Sequence, residues 1–119
     1  MVDYRQVYQA FIQYAASGNQ SDWCELWILC TRRMEALVKT KAKKLKVPLP
    51  EGDIDDIVTD STCRVMLVLR YAHDVDEGFI SKTFWNQNLA SFKTYNRNTG
   101  KVRRDEKIAK VLNERFFLN

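Results

Sequence analysis

The sequence predicts an all-α protein, a compact bundle of four to five helices. Three observations carry that prediction. Apolar residues recur at spacings of three and four through most of the 119 residues, the period of a helix with one buried face. The four glycines and two prolines punctuate the chain at Gly18, Pro48 to Gly52, Gly78 and Gly100. No stretch alternates apolar and polar residues with the period of two that a half-buried strand requires.

The elements follow in order. Residues 3–16 place Tyr4, Val7, Tyr8, Phe11, Ile12 and Ala15 on one helical face, and Gly18 follows as a stop. Residues 21–46 predict a second helix, with Ser21 as N-cap and Asp22 and Glu25 in the first turn. Its apolar stripe runs through Trp23, Leu26, Trp27, Cys30, Met34, Leu37, Val38 and Leu45. Its end carries Lys39, Lys41, Lys43, Lys44 and Lys46, a basic face that suits the negative end of the dipole.

Pro48 and Pro50 interrupt the chain. Asp53 is then expected to cap a third helix running to Tyr71 or Ala72. In it Ile54, Ile57, Val58, Val65, Val68, Leu69 and Ala72 face the core, and Met66 and Leu67 widen the apolar arc. A polar turn, His73 to Gly78, leads to a helix over 80–97 with Ile80, Phe84, Trp85, Leu89 and Phe92 inward. Asn96 to Gly100 reads as its closing turn, and a last helix is expected over 103–117.

One domain of this length can bury a core without disulfide or metal staples. A 45% hydrophobic content argues against wholesale disorder. Cys24, Cys30 and Cys63 form no Cys-x-x-Cys pair, which suits a reducing compartment and core or near-core thiols. No apolar run is long enough to span a bilayer and no signal peptide is visible, so the expected location is cytoplasmic. No phosphate-cradling glycine loop, Asp/Glu-x-x-His pair or nucleophile motif is present. The expectation is therefore a protein that is not an enzyme and has no cofactor or metal.

Charge is strongly divided along the chain. Residues 53–78 carry seven acids against two bases, and residues 79–119 carry nine bases against three acids. The overall net charge is +4. Acids in a first helical turn are favoured by the dipole, by about 0.3–1 kcal/mol each. Asp60 lies beyond that turn, four residues after Asp56, where a second like charge is mildly unfavourable. The stripe Asp53, Asp56 and Asp60, with Thr59 alongside, is either a solvated face or a surface for a cationic partner. In the basic half, Lys93 and Arg97 lie one turn apart, and Lys101, Arg103 and Arg104 extend the track. Such cations hold phosphates without reading sequence. Asn86, Gln87 and Asn88 offer amides of the kind that pair with base edges. Phe79, Phe84, Trp85 and Tyr95 offer faces for unstacked bases, although Phe84 and Phe92 also fit a core stripe.

This order of parts resembles region two of bacterial RNA polymerase sigma factors. Many alternative sigma factors read Asp-x-Glu-Asp-Leu-Val-Gln-Glu where this chain reads Asp53-Ile-Asp-Asp-Ile-Val-Thr-Asp60. The family continues with a polar turn, a phenylalanine and a helix bearing Arg-Asn-Leu-Ala before a basic end. Here the counterparts are Gly78-Phe79, Gln87-Asn-Leu-Ala90, Arg97 and Arg103-Arg104. Thr59 stands where the family often has glutamine, and Thr62 where an aromatic is common. The resemblance spans roughly residues 20–104.

It implies that Asp53, Asp56, Thr59 and Asp60 face the clamp helices of the polymerase's largest subunit. It implies that the turn 73–79, including Phe79, helps capture a flipped base of the −10 element, a step that costs a few kcal/mol of unstacking. Trp85, Asn86, Asn88, Lys93 and Arg97 would lie along −10 DNA, with Lys101, Arg103 and Arg104 beyond. Residues 105–119 are too few for the domain that reads the −35 element. The expectation is a minimal sigma-like initiation factor of phage or mobile-element type, working with a second protein that supplies −35 contacts. The alternatives are a polymerase-binding regulator that opens no promoter, and a generic basic helical nucleic-acid or protein-interaction module.

Overall fold

Asp3 starts the first helix by a reciprocal cap. Its carboxylate accepts from the Gln6 amide at 2.8 Å, and the Gln6 side chain accepts from the Asp3 amide at 2.9 Å. Helix α1 then runs Tyr4–Ser17 and stops at Gly18, whose φ of 65° is the left-handed conformation that glycine adopts without strain. This computed structural model describes residues 1–45 and 48–116, with side chains described through residue 98.

Helix α2 spans Gln20–Ala42, and its cap is Asn19 rather than Ser21. The Asn19 side chain accepts from the Asp22 amide at 2.9 Å, while the Ser21 hydroxyl merely donates to Asn19 Oδ1 at 3.1 Å. Ser17 also bonds Asp22, so the turn between α1 and α2 is closed by side chains from both. Helix α3 covers Glu51–Tyr71 and begins two residues before the expected Asp53 cap. The Pro50 carbonyl accepts from the amides of Asp53 and Ile54, which leaves the Asp53 carboxylate free for another partner. After a turn in which Asp74 takes φ 55°, Asp76 opens the last helix by accepting from the Phe79 amide at 2.6 Å.

Helix α4 runs Glu77–Phe116 without a break, where two helices joined by a turn at Asn96 to Gly100 were expected. A single glycine costs about 1 kcal/mol in a helix interior. With no proline in the second half of the chain, nothing forces a stop. The expected inward face of the last helix lies outside the described side chains. At 40 residues and 1.5 Å per residue, α4 is roughly 60 Å long. It gives the molecule its long dimension of 69 Å against 27 and 22 Å. Among the described residues the architecture is four helices and no strand.

The first part of α4 completes the bundle. Leu26, Cys30, Met34 and Val38 recur every four residues along α2 and are wholly buried. Val7 of α1 meets them, with Ile57, Val58, Val65, Met66 and Leu69 of α3 and Ile80, Phe84 and Phe92 of α4. Each such side chain contributes about 1.5–3 kcal/mol by leaving water. Tyr4 stands edge-on to Phe84 with centroids 5.4 Å apart, and the Arg33 guanidinium covers its ring at 4.4 Å.

Several assignments of burial change: Ile12, Leu45 and Leu67, each placed on an apolar face by its spacing, are exposed. Trp85 is 54% exposed, because residues next to each other on a helix point about 100° apart and Phe84 takes the inward position. Cys24 and Cys63 are exposed, and Cys30 alone among the cysteines is buried. Burial pushes the Cys30 thiol up to about 12, so it stays protonated and inert.

Candidate functional site

The acidic start of α3 divides into two sets of carboxylates. Asp53 and Asp60 turn toward α4. The Tyr95 hydroxyl donates to Asp53 at 2.7 Å. Asp60 Oδ2 accepts from Ser91 Oγ at 2.7 Å and from Arg64 Nε at 2.9 Å. Partial burial raises the Asp60 carboxyl. The bonds from Ser91 and Arg64, with the guanidinium charge, outweigh that and hold it below the ordinary carboxylate range. Asp60 and Asp53 are therefore ties between α3 and α4.

Asp55 and Asp56 form the other set, with the Thr59 hydroxyl beside them. All three are exposed, and none has a hydrogen bond or ion pair among the described residues. Of the four residues expected to meet a partner, then, Asp56 and Thr59 are available at the surface, while Asp53 and Asp60 have their carboxylates engaged within the chain. Asp56 and Asp60 share a cleft of about 280 Å³ with Ile57, Ser91, Thr94, Tyr95 and Asn98.

The solvent side of α4 carries Lys82, Asn86, Lys93 and Arg97, all exposed. Their spacing of four, seven and four residues keeps them on one helical face. Trp85 stands next to this ridge with more than half of its surface in water. Phe79 is half-buried and packs against the core.

Asn88 does not join this surface. It is wholly buried, with Nδ2 3.9 Å from Met34 Sδ and Oδ1 without a partner. The helical period separates Asn86 from Asn88 by about 200°, so two such amides cannot share a face. Lys101, Arg103 and Arg104 lie outside the described side chains.

Sequence reasoning missed the ties themselves. Ser91 and Arg64 read as ordinary helix residues and Tyr95 as a face for bases, yet they decide which aspartates are free. The signal was present in part: Arg64 follows Asp60 by four residues, the spacing of a helical ion pair. Ser61 and Thr62, wholly buried in mid-helix, were also missed.

Free carboxylates on α3 attract cationic side chains, and the α4 ridge attracts anions. Among the described residues no group of three or more His, Cys, Asp and Glu side chains is placed to hold a metal ion. No helix among them is long and apolar enough to cross a membrane. Compared with known proteins, the chain matches no family model, no curated protein and no solved structure.

Proposed function

We propose that this protein is a sigma-like transcription initiation factor. It binds RNA polymerase core through the exposed turn of α3 and −10 promoter DNA through the outer face of α4. The observation that carries this reading is the pairing of two oppositely charged surfaces on one rigid unit. Asp55, Asp56 and Thr59 project from α3, and Lys82, Asn86, Lys93 and Arg97 project from α4. The ties Asp53–Tyr95 and Asp60–Ser91 fix the two helices against each other. A cationic helical surface of the polymerase would meet the first, and the phosphates of opened template the second. Trp85 supplies an exposed indole face for a base leaving the stack.

The polymerase half is tested by Asp56→Lys in a pull-down with core polymerase from the host. Because Asp56 has no partner among the described residues, this variant folds normally and loses the complex. Retention of the complex at unchanged affinity overturns the reading. The promoter half is tested by Arg97→Ala. This variant keeps the complex but weakens binding of a −10 template to it, with fewer run-off transcripts.

The burial of Asn88 favours one further reading. With that amide withdrawn, the surface has fewer groups that contact base edges. A regulator that binds polymerase through α3 without opening promoters fits such a surface. It would form the complex with core and yield no transcript from any −10 template.

A further inference from the structure

Several lysines crowd the end of α2. The helix dipole accounts for cations there in a general way, and Lys39 has its own partner in Glu35 at 2.6 Å. Neither fact accounts for Lys41. Its ammonium leaves the end of its own helix and lies over α4, 4.6 Å from the centroid of the Phe92 ring. The next residue on α4 is Lys93, which is exposed. Loss of water and repulsion by Lys93 both hold Lys41 below the ordinary lysine range. Two cations from different helices are thus set side by side.

The arrangement continues for another turn. Contacts of Met34 with Asn88 and of Lys41 with Phe92 show that α2 and α4 run in the same direction here. One turn on from Lys41 stands Lys44, whose amide donates to the Lys41 carbonyl at 3.1 Å. One turn on from Lys93 stands Arg97, with Asn96 between them. Lys44, Asn96 and Arg97 are all exposed. The ion pairs among the described residues are Lys39–Glu35 and Arg64–Asp60, so none of these four cations is paired with a described acid.

We propose that the end of α2, with the turn that follows it, and α4 form one phosphate-binding seam for a nucleic-acid backbone, with Lys41 and Lys44 on one wall and Lys93 and Arg97 on the other. This rests on the DNA half of the proposed function and extends it to a second helix. A bridging phosphate converts the repulsion between Lys41 and Lys93 into two attractions. The contacts are to the backbone, so they add affinity and salt dependence without sequence preference.

The test uses the full chain without polymerase, and a labelled oligonucleotide as a single strand and as a duplex. Anisotropy titrations are repeated at rising NaCl. Lys41→Gln and Lys44→Gln should each flatten the plot of log affinity against log salt, by about 0.7 on the single strand and about 0.9 on the duplex. Lys93→Gln should do the same, and Lys41→Arg should restore the slope of the unmodified chain. Lys39→Gln, which alters a lysine already paired with Glu35, should leave the slope unchanged. Lys44 is exposed, so its variant carries the test even if Lys41→Gln lowers stability. If Lys93→Gln flattens the slope and neither Lys41→Gln nor Lys44→Gln does, the seam is overturned while the α4 surface stands. Preference for phosphatidylserine vesicles over both DNA forms also overturns it, as does failure of the unmodified chain to bind either form at the lowest salt. The Asp56→Lys pull-down is independent of all these outcomes, so failure of the polymerase reading is separately visible.

Discussion

Ser91 of α4 donates a hydrogen bond of 2.7 Å to the Asp60 carboxylate of α3, and that bond decides what the acidic helix can offer a partner. An aspartate held from the neighbouring helix is a structural group first. Charge reversal at Asp60 would break the α3–α4 seam as well as any partner contact, so loss of binding in such a variant would be ambiguous. Asp56, four residues earlier and unpaired among the described residues, gives the clean experiment.

Removing the Ser91 hydroxyl should therefore be felt in stability. Ser91→Ala leaves Asp60 its pairing with Arg64 and access to water, so the expected loss is about 1 kcal/mol in urea unfolding. An unchanged urea midpoint would show that the bond contributes nothing.

The same carboxylate predicts a pH dependence. Its pKa in the folded chain lies below the unfolded value of about 3.9. The stabilisation it provides is thus fully present above about pH 4 and is lost as pH falls through the folded value. The side chain of Asp60 is 46% exposed, so the effect is a few tenths of a kcal/mol. Thermal melts of the unmodified chain and of Asp60→Asn should differ at pH 7 and converge in acid. A gap that widens on acidification would contradict the assignment.

Asn88 leads to a stability prediction of the opposite sign. Among the described residues its Oδ1 is buried without a hydrogen-bond partner, and its Nδ2 makes a long approach of 3.9 Å to the Met34 sulfur. An unpaired buried polar group costs about 1–3 kcal/mol, and a leucine of similar size removes that cost. Asn88→Leu should raise unfolding stability by about 1 kcal/mol and leave DNA affinity unchanged. A loss of DNA binding by the folded variant would place Asn88 back among the contact residues.

Trp85 should behave in the reverse manner. With more than half of its surface in water, Trp85→Ala should cost less than about 1 kcal/mol of stability. Under the proposed function it should still bind core polymerase, with fewer transcripts from a −10 template. Phe84→Ala, one residue earlier and wholly buried, should cost about 3–5 kcal/mol. Comparison of the pair by urea unfolding checks the register of α4 directly.

The helical class was legible from spacing alone, because a one-sided core imposes its period on any helix that lines it. Val7, Leu26, Met34, Ile57 and Phe84 could be placed inward from the sequence, and they are buried. Caps were less legible. Asn19 and Ser21 are both good capping residues, and only the geometry of the turn from Gly18 selects the first. The length of α4 was hidden because Asn, Thr and Gly at 98–100 raise the propensity for a turn without forbidding a helix. The free and tied carboxylates could not be told apart, since Asp53, Asp56 and Asp60 differ only in what α4 brings opposite them. That depends on Ser91 and Tyr95, more than thirty residues away in the chain.

The uninterrupted run of α4 has a mechanical corollary. About 24 residues follow Phe92 in the same helix, a rod of roughly 36 Å beyond the point where Lys41 rests. A tilt of about 5° at that fulcrum carries the far tip through roughly 3 Å. Any body that grips the bundle end and nudges the Asp60–Ser91 joint is thereby geared to displacement at a remote point, with no hinge in between to absorb it.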